Sequence, residues 1–396
     1  MSMSEWQKYK LGEVYSFSSG LSKSSDQFGY GFDFLTFKDV FNNYFLPDKL
    51  TALVNSTEKE RQTCSIKRGD VFLTRTSETD DELGMSSVAL KDYPNATFNG
   101  FTKRLRPIGN VEIYPEFVAY YFRSPRFRAN IVGMSSITTR ASLNNSMLAE
   151  LPLLLPNYEE QVRIATILKC LDDKIDLLHR ENTTLEAMAD TLFRQWFIEE
   201  VKEDWEEGAI ADFAEHYKAS VIPRNNPIEM YYHYSIPAFD TGKEPILEQG
   251  ENIQSNKYLV PKNCILFSKL NPHKDKRVWI MLDNIPDNAI CSTEFQIVKP
   301  TNLEYLYFLY GWLTNKENYD EIASGVGGTS GSHQRIDPKT IFSYSCPQVD
   351  MKTIRNYNKC VEPLFYKQRN NQQQIQTLIQ QRDSLLPNLM SSEVEI

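Results

Sequence analysis

From Glu159 to Glu207 the chain contains neither proline nor glycine, and apolar residues recur there at alternating spacings of four and three. Ile164, Leu168, Leu171, Ile175 and Leu178 lead on to Leu185, Ala189, Leu192 and Trp196. A seam of this kind predicts one long helix whose apolar stripe must be covered by another helix. At about 1.5 Å per residue it would be roughly 60 Å long. Asn182 falls on the seam between Leu178 and Leu185, a polar residue of the sort that fixes register at some cost in stability. Pro156 marks the boundary before the helix, and Glu159 and Glu160 suit the positive end of its dipole.

The covering helix is in the same chain. From Asp350 onward an offset of 190 lays Cys360 on Cys170, Val361 on Leu171, Phe365 on Ile175, Ile375 on Leu185 and Ile379 on Ala189. The second seam is weaker, because Gln368 and Gln372 fall where Leu178 and Asn182 stand, and Pro363 is expected to kink or interrupt the helix. LFRQWF at 192–197 and LLPNLM at 385–390 nevertheless close the two segments alike.

The segments before the helices repeat as well. Trp6, Leu11, Glu13 and Val14 match Trp205, Ile210, Asp212 and Phe213 at identical spacing. IKRGDVFLTR at 66–75 matches VPKNCILFSK at 260–269, and FTKRLRP at 101–107 matches EFQIVKP at 294–300. PEFVAYYFRS at 115–124 is similar to LEYLYFLYGW at 303–312, an aromatic helix in each half. The expected fold is therefore mixed α/β of the α+β class, with a first domain over 1–155, a central long helix over 156–202, a second domain over 203–348 and a C-terminal long helix over 349–396. The two helices are expected to pack as an antiparallel coiled coil and to relate the domains by an approximate two-fold axis, the geometry that suits two DNA half-sites.

Bulk charge argues against nucleic acid, since 43 Lys+Arg face 52 Asp+Glu for a net charge of -9. The acidity is local, however: Asp172 to Glu215 holds 14 acidic and 4 basic residues, which leaves the remainder close to neutral. The six cysteines include no CxxC pair and no histidine at ligand spacing, so they read as reduced, mostly buried thiols rather than a zinc site. With no apolar leader and no membrane-length apolar run, a soluble, cytoplasmic protein with no membrane association is expected.

Basic and polar residues gather where strands should end. The first domain has Arg75, Thr76 and Ser77, then Lys103, Arg104 and Arg106, then Arg123, Arg126 and Arg128, with Arg140 in the ITTRAS segment at 137–142. The second has Lys269, Asn271, His273, Lys274, Lys276 and Arg277, then a glycine-rich segment, 324–335, that ends in His333, Gln334 and Arg335. These residue types suit phosphates and base edges, though each cluster taken singly also reads as a solvated surface. Catalytic signals are missing. No GKS or GKT follows the glycines, Asn271-Pro272-His273 fails as an adenine-methyltransferase motif, and Glu60 stands where a nuclease pattern beginning at Pro47-Asp48 requires lysine.

The segment 151–197 closely resembles the central conserved region of the specificity subunits of Type I restriction-modification enzymes. Pro156, Glu160, Gln161, Ile164, Ala165, Leu168, Asp172 and Ile175 follow the Pro-x-x-x-Glu-Gln-x-x-Ile-Ala pattern of that family. In the C-terminal copy Lys352 and Thr353 lie near the expected Glu-Gln pair. The resemblance extends over the whole chain and implies a non-catalytic subunit whose two target-recognition domains each read half of a bipartite sequence in double-stranded DNA, with the paired helices setting the spacer. It also implies two modification methyltransferase subunits and restriction motor-nuclease subunits as partners. S-adenosylmethionine, ATP and magnesium would reside on those partners, and this chain would hold no cofactor and no metal. Two alternatives stand beside it: a pseudo-dimeric DNA-binding regulator acting alone, and a single-chain enzyme with a concealed site.

Overall fold

The computed structural model describes residues 6–75, 82–135, 143–327 and 334–391. The chain forms two compact units, Met1–Leu178 with Gln373–Ile396, and His179–Gln372. Both division points fall inside long helices, Tyr158–Arg194, which continues as a π-helical turn to Glu199, and Met351–Leu389. Each unit thus holds one globular domain and a stretch of both helices. The class is mixed helix and sheet, as the repeat predicts.

The domains share one plan. In the first, Tyr15–Ser19, Thr102–Pro107, Val71–Thr74 and Ser86–Val88 form an antiparallel sheet in that order. In the second, Ala214–Tyr217, Phe295–Pro300, Cys264–Ser268 and Val278–Met281 repeat it. The central strand of each is buried throughout, as its unbroken apolar run requires. Beside it lies a sheet with one parallel pairing, Phe28–Leu35 with Thr97–Phe98 in the first domain and Met230–Tyr234 with Ala289–Ser292 in the second. A two-stranded ribbon joins the entrance of each domain to its exit, Gln7–Lys10 with Pro152–Leu155 and Glu207–Ala209 with Ser345–Pro347.

The helix starts set the register of the repeat. Asn157 Oδ1 accepts the Glu160 amide at 2.9 Å, and Asp350 Oδ1 accepts the Thr353 amide at 2.9 Å. Asn157 therefore corresponds to Asp350, a separation of 193 residues rather than the 190 expected for the helices, and Thr353 and Ile354 take the places of Glu160 and Gln161. A three-residue slip is nearly one helical turn and leaves the buried face almost unchanged, which is why the apolar pattern tolerates it. The aromatic helices slip likewise: the caps Ser124 and Asn315 set Phe117 opposite Phe308, not Tyr305.

The seam is shared between two kinds of cover. Ile164, Ala165 and Leu168 join the core of the first domain together with Leu386, Leu389 and Met390. Ile354, Tyr357, Val361 and Phe365 join the core of the second together with Ala189, Phe193 and Phe197. In the first unit the helices also pack directly on each other, where Ile175 and Leu178 meet Ile375, with Leu378 and Ile379 at the edge. Leu171, Leu185 and Leu192 are half-buried, and toward the end of the central helix Phe193 and Phe197 take the inward positions expected of Leu192 and Trp196. The expected stripe drifts because a straight helix repeats every 3.6 residues, not 3.5. In each unit the helix stretches run antiparallel: Asp172 meets Arg382 in the first, and Asn182 meets Asn371 in the second.

Pro363 does not interrupt the C-terminal helix, which is continuous from Met351 to Leu389. Pro363 and Lys359, whose carbonyl loses its helical donor, both lie on the exposed face, where water can take that role. Asn182 does find a polar partner. Asn371, 1% exposed, donates to Asn182 Oδ1 and to Glu181 Oε2, each at 2.9 Å, and Gln368 donates to the Asn182 carbonyl at 3.0 Å. Four of the six cysteines, Cys64, Cys264, Cys291 and Cys346, are buried; Cys170 and Cys360 are exposed on the long helices.

Asp172 ties three elements of the first unit. It accepts from Tyr120 Oη at 2.6 Å and from Arg382 Nη1 at 2.9 Å, while the Arg382 guanidinium lies over the Tyr44 ring. The corresponding residue in the second unit is Phe365, stacked on Tyr307 and edge-on to Tyr310. Arg382→Ala is expected to destabilise the first unit by about 3 kcal/mol, because it strands a largely buried carboxylate. The double substitution Asp172→Leu/Arg382→Met should recover most of that loss, which denaturant melts of the three proteins would measure.

Candidate nucleic-acid interface

The residues singled out from the sequence fall into three groups. Thr76, Ser77 and Arg140, with His333, lie outside the described residues. The rest divide between structural ties and a convergent set that is exposed or half-buried.

Lys103 and Arg104 belong to the ties, contrary to their expected role as DNA contacts. Lys103 is 7% exposed and donates to Ser19 Oγ at 2.9 Å and Asn145 Oδ1 at 2.8 Å. Burial lowers its pKa, and the nearby Arg75 charge adds to that. Arg104 donates to the carbonyls of Ser65 at 2.6 Å and Thr63 at 3.3 Å, and burial holds its pKa down too. Both sit on an inner strand that is buried from Thr102 to Leu105. Arg106 is paired with Asp70. Arg123 donates to the carbonyls of Ser86, Val40, Phe41 and Asn43, with burial pushing its pKa down to about 10. Of the six bases between Phe101 and Arg128, Arg126 is the exposed one.

The second domain keeps more of its expected set at the surface. Asn271, in the left-handed region at φ 46°, donates its amide to the Gln334 carbonyl at 2.8 Å, and its Oδ1 accepts the Gln334 amide at 3.1 Å. Leu270 bridges to Arg335, so Lys269, Asn271, Gln334 and Arg335, far apart in sequence, meet. The turn that follows is held from below by Tyr319 Oη, 3.3 Å from the carbonyls of Pro272 and Asp275, and by Lys276 Nζ on the Thr314 carbonyl at 2.8 Å. His273 and Lys274 are left exposed on a fixed turn. Arg277 is committed to Asp240 and Asp275. Arg335 is paired with Glu294 at 2.8 Å, and that hydrogen bond raises its pKa.

One geometry recurs in both domains, and it was not evident from the basic clusters. Arg75 donates its amide to the Phe101 carbonyl at 2.8 Å and accepts the Leu143 amide at 3.1 Å. Lys269 donates to the Glu294 carbonyl at 3.0 Å and accepts the Ile336 amide at 3.1 Å. The base that follows the central strand is thus clamped on both backbone atoms at the same place in each fold. Leu143 and Ile336, both buried, anchor the returning segment. Each clamp fixes the backbone of a half-buried basic residue, and the residue whose carbonyl it uses differs between the copies, Phe101 in one and Glu294 in the other. The available signal was the match of 66–75 with 260–269, which places Arg75 opposite Lys269.

Sequence reasoning also left the role of Gln161 unexplained. Its side chain, 1% exposed, accepts the Tyr114 amide at 2.9 Å and donates to the carbonyls of Pro156 at 3.0 Å and Glu112 at 3.2 Å, tying the helix start to the domain. Among the described residues there is no cluster of His, Cys, Asp and Glu able to hold a metal, and no helix long and apolar enough to cross a membrane.

Comparison with known proteins gives a consistent result. Residues 3–187 match the family described as Type I restriction modification DNA specificity domain. A Type I restriction enzyme specificity subunit from Methanocaldococcus jannaschii, MjaIX, is 27% identical, with 98% of this chain and 92% of that protein aligned. The HindI specificity subunit of Haemophilus influenzae is 28% identical over 50% of this chain and 42% of its own length. Among solved structures, the S subunit of a Type I restriction-modification system from M. genitalium shares the fold with a TM-score of 0.58 at 15% identity, covering 98% of this chain and 97% of its own.

The double substitution His273→Ala/Lys274→Ala is expected to weaken duplex binding uniformly across sequences. It should reduce the slope of log affinity against log salt by about 1 to 2, with no change in melting temperature. Lys103→Ala and Arg104→Ala should instead lower the melting temperature, through loss of about 1–3 kcal/mol each. Salt titrations and thermal melts separate the two classes.

Proposed function

This chain belongs to the specificity subunits of Type I restriction-modification systems, which are non-catalytic, and from that premise we propose that it reads a bipartite duplex target and presents it to catalytic partners. The recurring clamp on Arg75 and Lys269 carries the proposal. Two copies of one scaffold, each clamping the backbone of a basic residue beside a different neighbour, Phe101 in one and Glu294 in the other, suit the reading of two different half-sites. Phosphate contacts from Lys269, His273 and Lys274 would set position, while Asn271, Gln334 and Arg335 would meet base edges. The domains of this reading are 1–155 and 203–348, and the helical segments 156–202 and 349–396 would set the unread spacer.

Two methyltransferase subunits would dock on the long helices and methylate adenine N6, with restriction motor-nuclease subunits completing the cleaving enzyme. Ile167, Leu177 and Met188 are exposed apolar residues of the central helix, of the kind that a partner covers. The acidic character of Asp172 to Glu215 fits a protein-facing rather than a DNA-facing surface. S-adenosylmethionine, ATP and magnesium would be held by those partners. The reading calls for the compartment of the chromosome, the cytoplasm.

Methylome sequencing of cells with and without the gene tests the proposal, with loss of one bipartite adenine-methylated motif expected. Replacing residues 1–155 by those of another member should change one half of that motif and leave the other half and the spacer intact. Purified alone, the chain should bind its target weakly and gain affinity when methyltransferase subunits are added. Tight, specific binding by the isolated chain would favour the regulator reading instead.

A further inference from the structure

The clamp on Arg75 presents an unusual neighbour. Phe101, whose carbonyl receives the Arg75 amide, is 63% exposed. Its backbone is nevertheless fixed at every point. The Phe101 amide donates to Asn99 Oδ1 at 2.7 Å, the Thr102 amide and hydroxyl donate to the Asn99 carbonyl at 3.0 and 2.7 Å, and the Gly100 amide donates to the Leu21 carbonyl at 2.8 Å. Gly100 permits this close approach, since a Cβ there would lie 2.5 Å from Ser22 Oγ and 2.9 Å from the Leu21 carbonyl oxygen. An aromatic ring with only two side-chain torsions is therefore displayed in water on a hydrogen-bonded turn that also holds the Arg75 backbone. A single exposed apolar residue on a mobile loop would need no explanation. One held this firmly, at the rim where the second domain places a carboxylate, does.

The contrast between the copies indicates what the ring is for. Glu294 occupies the corresponding position and is paired with Arg335, so the same corner offers charged hydrogen-bonding groups in one domain and a hydrocarbon face in the other. In the major groove, thymine alone presents an apolar group, its C5-methyl, while the other bases present donors and acceptors. Backbone preorganisation reduces the entropic cost of contact, and two torsions leave little more to lose.

We propose that Phe101 is a specificity-determining residue of the first domain, whose ring meets the C5-methyl of a thymine in the half-site that this domain reads. The inference rests on the function proposed above and adds to it the chemical class of one recognised base.

The test uses the full complex with its methyltransferase subunits and selection of bound duplexes from a random library. The wild type should return a bipartite motif with a thymine at one position of the half-site that follows residues 1–155 in domain exchange. Phe101→Ala should reduce the preference for that thymine about tenfold, within the discrimination expected of a base-edge contact, and leave the other half-site unchanged. Phe101→Leu should retain part of the preference. Uracil in place of that thymine should weaken the wild type by the same factor and leave Phe101→Ala unaffected, since both changes remove one contact. The proposal is overturned if the half-site holds no such thymine, if Phe101→Ala lowers affinity for all sequences alike, or if the uracil and alanine effects multiply. A wild-type complex with no bipartite motif at all would instead overturn the function on which the inference rests.

Discussion

Everything in this protein hangs on a helix with more apolar surface than one neighbour can cover. Ile164, Ala165 and Leu168 are buried in a domain core, while Ile175 and Leu178 require another helix. A free rod with this stripe would aggregate, and a domain without the start of its rod would lose part of its own core. Folding of domain and pairing of helices are therefore one cooperative event in each unit. Gln161 and Tyr121 reinforce the junction by occupying backbone groups at the helix start and on the strand leading into it.

The two units solve the same packing problem with opposite chemistry. Asp172 uses an ion pair and a phenol where Phe365 uses two aromatic rings, and Arg382 stands where the other unit has Ala189. A charged centre is intolerant of losing one member, whereas an aromatic one depends on volume. The polar pair Asn182 and Asn371 adds a third device, since a helix shifted along its partner would bury these amides without a match. The structural repeat thus preserves geometry while interactions diverge.

Much of this was legible in the sequence because it is carried by pattern. A proline-free apolar stripe and matching strand segments spell out the element order, and the Pro156 to Ile175 motif led to the family. Register was less legible. Side-chain periodicity repeats almost perfectly after one turn, so it could not separate an offset of 190 from 193, and the deciding atoms were the cap oxygens of Asn157 and Asp350. The candidate site was legible only in part. Lys103, Arg104 and Arg123 have the composition of a DNA-binding cluster, yet Lys103 bonds the side chains of Ser19 and Asn145 while the two arginines bond main-chain carbonyls, which depends on chain crossings that no local pattern encodes. Lys269 and Asn271 could be linked with Gln334 only once the turn and the returning segment were seen to share hydrogen bonds.

The ribbons at the base of each domain have a consequence for how such chains change over generations. Gln7 faces Leu155 and Glu207 faces Pro347, so each domain begins and ends at adjacent points. Such a domain is topologically a closed insert. A single recombination event with crossovers at its two neighbouring ends carries in a finished core, a finished sheet and a finished rim, and asks the host helices only to accept the same few apolar contacts. Stepwise substitution has no comparable route, because residues around the clamps answer to partners on several loops at once. Novelty in this architecture should therefore arrive in whole domains, with the helices changing slowly between them.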